Sequence, residues 1–241
     1  MSSTRDLRRR IRSVKGTQQI TKAMKMVAAA RLRRAQAAIT AARPYADALA
    51  GVLSRLAART EHDHPLLEAR DGGRAWLVVV TSDKGLCGSF NANLLRQAVQ
   101  ELAAERWQEV DVVAIGRKAS DHFRRRQVTV VHEERDTMSS LGPEAGPRLG
   151  RMFIQAFASG QVDEVWILYN RFVSLIRPEP SLERLLPVEP HSADANAEPP
   201  VDYLYEPDAP TLLAELLPRH VETQVQRCLY DSAAAEQAAR M

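Results

Sequence analysis

The sequence of 241 residues is poor in cysteine and aromatic residues and has no long apolar run. Its two cysteines, Cys87 and Cys228, stand far apart without metal-ligand spacing, so we expect buried free thiols in a reducing compartment. A membrane-spanning helix needs about 18 consecutive apolar residues, and the start MSSTRDLRRRIRS lacks the apolar core of a secretory signal. We therefore expect a protein that is cytosolic or faces the cytosol.

Charge is distributed unevenly along the chain, although the net charge is only +3. Residues 1–57 contain 13 Lys or Arg, with Asp6 and Asp47 as their only acids, which gives this part +11 and leaves the rest at −8. Aromatic residues make up only 5%, and alanine is abundant near both ends. This composition favours a basic N-terminal helix joined to an acidic body, and a basic helix needs an acidic partner.

The N-terminal region has the apolar spacing of a coiled coil. From Leu7, steps of four and three residues reach apolar side chains as far as Leu56 with three consecutive exceptions. Those exceptions are Gln18, Thr21 and Lys25. The seam continues across Pro44, so we expect a bend there and not a helix end. About 50 residues at about 1.5 Å each give a helix of about 75 Å, which needs a partner strand.

At the three exceptions the apolar set moves back by one residue, to Ile20, Met24 and Val27. One residue corresponds to about 100° around a helix, so the apolar face turns away from the seam. A simple stutter in the coiled coil would explain this shift. Contact of this turn with another molecule would explain it equally well.

The middle of the chain alternates short apolar runs with helical stretches. Strands are predicted at 76–81, 110–115, 128–131 and 164–169, with helices at 91–105, from Lys118 and over 152–158. This alternation predicts a Rossmann-like α/β domain with a parallel sheet and right-handed crossovers. Residues 181–188 are expected to add an edge strand. We assign residues 1–58 to the N-terminal coiled-coil helix, 74–200 to the central domain and 209–241 to a C-terminal coiled-coil helix.

The loop after the first strand, TSDKGLCGSFNANL, has two glycines between a strand and a helix. It lacks both GxGxxG and GxxxxGK[ST], so Gly85 and Gly88 are interpreted as turn residues and no cofactor is predicted. Asp83 and Lys84 are expected to be a surface pair. No GxSxG or HExxH motif is present, so no catalytic or metal-binding residues are predicted.

From Pro210 the sequence is helical again and can return antiparallel along the first helix. Its roughly 30 residues span about 45 Å, which would leave about 30 Å of the seam uncovered. The sequence stops at Met241 without a helix-ending residue. We expect the C-terminal helix to be incomplete, and the alternative is that a partner from another chain covers the gap.

Four motifs in order resemble the gamma subunit of F-type ATP synthase. They are RRRIRSVKGTQQITKAMKMVAAARLRRAQ, TSDKGLCGSFNANL, ILYNRF, and YLYEPD with AAAEQAARM. Members of that family continue for several helical turns beyond AARM. The resemblance implies a central rotary shaft that transmits rotation of the membrane c ring to the alpha/beta catalytic hexamer, with no active site of its own. It also implies contact with the epsilon subunit and a peripheral position on the cytoplasmic face of the bacterial plasma membrane.

The resemblance further implies which residues bind partners. Those on the two helices are Ile20, Lys22, Met24, Lys25, Val27, Arg31, Arg33, Arg34 and Arg240. Tyr205, in YLYEP, corresponds to the region near the c ring. The cations of the first helix would face carboxylates of the beta subunits. Unbranched Met and small Ala side chains suit a sliding contact, because close interlocking would trap one angle.

A nucleic-acid-binding protein is the alternative from another functional class, since the basic helix could contact phosphates. Basic-region helices keep their DNA-contacting segment apart from their zipper, whereas here the cations overlie the seam. A second alternative is a nucleotide-dependent enzyme built on the sheet, for which nucleotide affinity that is lost on changing Lys84 would be evidence.

Replacement of Met24 by lysine should slow turnover of the assembled complex, because the lysine would form a buried charge pair with carboxylates of the beta subunits. The measurement is ATP synthesis driven by a proton gradient. Coupling that stays at the wild-type level would contradict the assignment of this helical turn to a partner contact.

Overall fold

The structure is a computed structural model that describes residues 4–57, 64–70, 72–175, 178–189, 206 and 208–241. Its elements, in chain order, are α1 (Thr4–Ala57), β1 (Arg74–Val80), α2 (Phe90–Ala103), β2 (Glu109–Ile115), α3 (Arg117–Arg125), β3 (Val130–Glu134), α4 (Ala145–Ala158), β4 (Glu164–Phe172), β5 (Pro178–Leu186) and α5 (Ala209–Arg240). In the order of the sequence, a five-stranded α/β unit therefore lies between two long terminal helices.

The two terminal helices pack side by side and run in opposite directions. Leu32 of α1 packs against Ala234 and Ala238 near the end of α5. Leu53 belongs instead to the cluster that contains Leu213, at the beginning of α5. Helix α1 is continuous through Pro44, as the spacing predicted.

Helix α1 extends well beyond the end of α5. It has 54 residues against 32, which corresponds to about 81 Å against about 48 Å. From Ala28 onward the seam positions are buried or half-buried, whereas Leu7, Ile11 and Val14 are exposed. The predicted uncovered length of seam is therefore present in the described chain, at the N-terminal end of α1.

The sheet has the strand order β3-β2-β1-β4-β5. The first four strands in the sequence pair in parallel, as predicted, and β5 joins β4 antiparallel at the edge. The predicted strand at 128–131 lies two to three residues too early, because pairing with β2 continues through His132 to Glu134. An edge strand tolerates such polar residues because one of its edges is open to solvent.

Alternate residues of β1 divide the core into two layers. Trp76, Val78 and Val80 belong to the cluster on the side of α4, α5 and the end of α1. Leu77 and Val79 face the other cluster, together with residues of α2 and α3. This alternation follows from the period of two in a strand, and it places the helical pair against one face of the sheet.

Helix α4 begins at Ala145, seven residues earlier than the predicted start at Met152. Gly146, Pro147 and Gly150 are poor helix formers, so local propensity concealed this first part. Its glycines allow α4 to approach α5 closely. A Cβ on Gly146 would lie 2.4 Å from Gln226 Cβ, and one on Gly150 would lie 2.9 Å from Glu222 Cα.

Replacement of Gly146 by alanine should destabilise the fold by about 1–3 kcal/mol, because the added methyl group collides with the α5 backbone. Gly51→Ala in α1 is the matched control, since a Cβ there meets nothing within 4 Å. The control should stabilise the protein by about 0.5–1 kcal/mol through the higher helix propensity of alanine. Urea unfolding measures both values, and equal midpoints for the two variants would contradict the close approach of α4 and α5.

Candidate partner-binding surface

The N-terminal part of α1 that α5 leaves uncovered presents apolar and cationic side chains together. Ile20 is 63% exposed and Val27 is 53% exposed, while Met24 is half-buried. Ala28, the next seam position, is buried. The shift of the apolar set therefore turns Ile20 and Val27 towards solvent and away from α5.

The predicted cations of α1 lie on its solvent-exposed surface. Every one of them is exposed: Lys22, Lys25, Arg31, Arg33 and Arg34. We call the surface formed by residues 20–34 of α1 the basic segment. Exposed apolar groups between cations suit a partner surface that combines carboxylates with apolar patches. Tyr205, the remaining predicted contact of the body, lies outside the described residues.

Arg240 lies two residues beyond Ala238, near the level at which Leu32 contacts α5. Its guanidinium bonds within the chain, donating to the carbonyl of Gly85 at 2.8 Å and to that of Lys84 at 3.1 Å. It also donates to the Glu236 carboxylate, at 3.0 Å from Nε and 2.5 Å from Nη2. A partner contact of Arg240 stays a prediction, and the chain itself uses all three groups of its guanidinium.

Glu236 is a buried carboxylate near the C-terminal end of α5. Burial raises its pKa, while the hydrogen bond and charge of Arg240 act in the opposite direction. Arg31 of α1 also lowers this pKa through its charge. The basic segment is thus linked electrostatically to the end of α5.

Asp83, at the carboxyl end of β1, is only 5% exposed, so the expectation of a surface pair with Lys84 is wrong. Its Oδ1 accepts hydrogen bonds from the backbone N–H groups of Arg117 and Asp136, both at 3.1 Å. Its Oδ2 accepts one from the N–H of Ser139 at 2.8 Å. These donors hold the carboxylate inside the protein. The prediction considered only the neighbouring Lys84, whereas the donors lie far away in the sequence.

The polar side chains of the loop between β1 and α2 bond to one another. Asn91 accepts from the Ser82 N–H at 3.0 Å and donates to Ser82 Oγ at 2.8 Å and to Cys87 Sγ at 3.1 Å. Gly88 has φ +56°, which fits its predicted role as a turn residue. Both Cys87 and Cys228 are buried free thiols, as predicted. Burial raises the pKa of Cys228 to about 12.

Comparison with known proteins identifies the family. The sequence profile of the ATP synthase family matches residues 3–241. The ATP synthase gamma chain of Anaeromyxobacter sp. (strain Fw109-5) is 46% identical over 247 residues, which cover all of this chain and 85% of that protein. The gamma chain of Desulforamulus reducens is 45% identical, with 100% and 84% covered. This chain belongs to the ATP synthase gamma-chain family.

Solved structures agree with the fold of this gamma-chain family member. The central stalk and c ring structure of Tetrahymena thermophila mitochondrial ATP synthase contains a chain that matches with a TM-score of 0.70 and 23% identity, covering 92% of this chain and 96% of that one. The rotor of Euglena gracilis mitochondrial ATP synthase matches at 0.65 and 20% identity, with 98% and 87% covered. At these identities the likeness supports the fold class predicted from the sequence.

Among the described residues, no helix is long and apolar enough to cross a bilayer. Within the same residues, no group of three or more His, Cys, Asp and Glu side chains is arranged to hold a metal ion.

Sequence reasoning missed the polar contacts that fix α5 to the body. Gln226 accepts from the Gly146 N–H at 2.6 Å and donates to the Gly142 carbonyl at 3.2 Å. Arg227 pairs with Glu183 of β5 and donates to the Tyr169 hydroxyl of β4 at 3.2 Å. Their position beside Cys228 of the predicted apolar stripe was the available signal, but nothing in the sequence indicates which helix or strand they contact.

Replacement of Asp83 by alanine should lower the free energy of unfolding by about 3 kcal/mol, because it leaves partly buried backbone N–H groups without their acceptor. Asp121→Ala is the control, since its contact with Arg135 is a 3.9 Å pair near the surface. The control should change stability by less than about 0.5 kcal/mol. Chemical unfolding of both variants measures the difference, and a loss below 1 kcal/mol for Asp83→Ala would contradict the anchoring role.

Proposed function

We propose that this chain is the central rotary shaft of a proton-translocating ATP synthase. It would transmit rotation of the membrane c ring to the alpha/beta catalytic hexamer and so couple proton flow to ATP synthesis. The observation that carries this proposal is membership of the gamma-chain family, with 46% identity to a curated relative over the whole of this chain and 85% of that relative. The antiparallel helical pair with one helix extending beyond the other supports the same role, since it gives an elongated and asymmetric body.

In this proposal, the basic segment contacts the inner wall of the alpha/beta hexamer. The exposed cations of α1 meet carboxylates of the beta subunits, and Ile20 and Val27 meet apolar parts of the same wall. Neither Ile20 nor Val27 is used to bury α5, which supports a role in binding a partner. Exposed cations also make this contact sensitive to ionic strength.

The α/β body would form the foot of the shaft near the membrane. There it would contact the epsilon subunit and the c ring, on the cytoplasmic face of a bacterial plasma membrane. The body carries a net negative charge, in contrast to α1, so the two ends of the shaft suit different partners. Tyr205 is proposed as part of the contact with the c ring.

Rotation would act on the catalytic sites by differential contact. At each angle the shaft presents a different face to each beta subunit, so it stabilises one conformation of that subunit more than another. A shaft that made equal contacts at all angles would shift no equilibrium. The unequal lengths and charges of α1 and α5 supply the required asymmetry, while the nucleotide chemistry belongs to the beta subunits.

The direct test is rotation of this chain within a complex reconstituted with alpha and beta subunits. A reporter particle attached to the body should rotate in one direction during ATP hydrolysis. A chain that assembles into the complex and stays static while ATP is hydrolysed would overturn the proposal. DNA binding with a steep salt dependence, in the absence of assembly, would favour the nucleic-acid alternative.

Charge reversal in the basic segment tests the proposed contact. The double variant Arg33→Glu with Arg34→Glu should reduce coupled ATP synthesis about tenfold or more, because it places like charges against the carboxylates of the wall. Arg96→Glu, an exposed site on α2, is the control and should leave synthesis near the wild-type rate. Equal rates for the double variant and the control would contradict a contact through the basic segment.

A further inference from the structure

The loop of residues 82–88, between β1 and α2, connects the sheet to the end of α5. At its base, Asp83 bonds to backbone N–H groups of α3 and of the segment between β3 and α4. At its tip, the guanidinium of Arg240 bonds to two successive carbonyls. One short segment therefore joins several parts of the body to the last turn of α5.

The tip of this loop has a conformation that only extensive bonding maintains. Leu86 has φ +61°, a left-handed conformation that is unfavourable for leucine, and its side chain is 79% exposed. The side chain therefore gains little burial in return for the backbone strain. The Lys84 carbonyl accepts from Ser82 Oγ at 2.8 Å in addition to Arg240. These directional bonds fix the backbone just before Leu86, and the Phe90 N–H, which donates to the Cys87 carbonyl at 3.2 Å, fixes it just after.

Apolar contacts alone would not fix the angle between the loop and α5. Cys87 and Phe90 pack against Ala235, with Ala239 at the margin of the same cluster. These α5 residues are small, and apolar burial has no preferred direction, so such a surface permits rotation and sliding. The planar guanidinium fork of Arg240 sets both distance and orientation, and Glu236 holds the fork in place.

We propose that this loop is a clasp that fixes the angular position of the body relative to the end of α5, with Arg240 as its positioning residue. The inference rests on the proposed shaft function, because torque that enters at the body must reach the helical pair without slippage. The clasp acts at the C-terminal end of α5, near the level at which Leu32 of α1 packs against it. Its bonds are made within one chain, so they can be measured without any partner.

Hydrogen exchange on the full chain tests the clasp itself. In Arg240→Gln, exchange should accelerate roughly tenfold or more at amides bonded within the loop, because charge-assisted hydrogen bonds of this kind each shift an opening equilibrium by about that factor. The Ser82 amide, bonded to Asn91, and the Phe90 amide, bonded to the Cys87 carbonyl, are the reporters. Arg125→Gln, an exposed site on α3, is the control and should leave both amides unchanged.

A second variant separates the orientation of the fork from its charge. Arg240→Lys keeps a cation beside Glu236 but cannot bond both carbonyls and the carboxylate in one plane, so exchange at the same amides should again accelerate. This variant also provides the test if Arg240→Gln does not fold. Unchanged exchange in a folded Arg240 variant would overturn the clasp, and it would leave the shaft function untouched.

The role in torque transmission is tested in the reconstituted complex. Arg240→Gln should lose proton pumping per ATP hydrolysed while hydrolysis continues, whereas Arg125→Gln should retain it. Accelerated exchange with unchanged pumping per ATP would overturn the transmission role. Failure of the wild-type chain to rotate at all would instead refute the shaft function, with the exchange results unaffected.

Discussion

The burial of α5 on two sides is the constraint on which the rest of this structure depends. One side packs along α1, as the contact of Leu32 with Ala234 shows, and another packs against the sheet and α4 through residues such as Val225 and Leu229. A helix with two buried sides is apolar around most of its circumference. Because α5 has both partners, the helical pair and the α/β body form one continuous structure, and α1 reaches the body largely through it.

Polar contacts add direction to this apolar packing. The adjacent residues Gln226 and Arg227 bond to α4 and to the sheet, and Arg240, near the end of α5, bonds to the loop after β1. Apolar area supplies most of the free energy, whereas these bonds restrict how the helix is rotated against the body. The arrangement suits a proposed shaft, which must resist twisting between its foot and its helical end. The basic segment takes no part in these bonds, and its exposed side chains remain accessible to a partner.

Much of the fold could be predicted because its signals are local. The seam in α1, the strands of β1, β2 and β4, and the return of α5 follow from apolar spacing, which the helix and strand periods impose directly. The start of α4 could not be predicted, because Gly146 and Gly150, which allow it to approach α5 closely, give this stretch the composition of a loop. The buried state of Asp83 was missed for a similar reason: its partners, the N–H groups of Arg117, Asp136 and Ser139, lie 34 to 56 residues away in the sequence.

The sequence by itself determined that a long basic helix precedes a parallel α/β body, and that the apolar face of this helix shifts at Ile20 and Val27. Periodicity and charge record such features residue by residue. Only the tertiary structure decided that Arg240 turns to the loop after β1 and that α5, packed by Gly146 of α4, connects the body to α1. Those outcomes depend on contacts between groups that are far apart in the sequence. The residues of one segment do not indicate which distant groups it will contact.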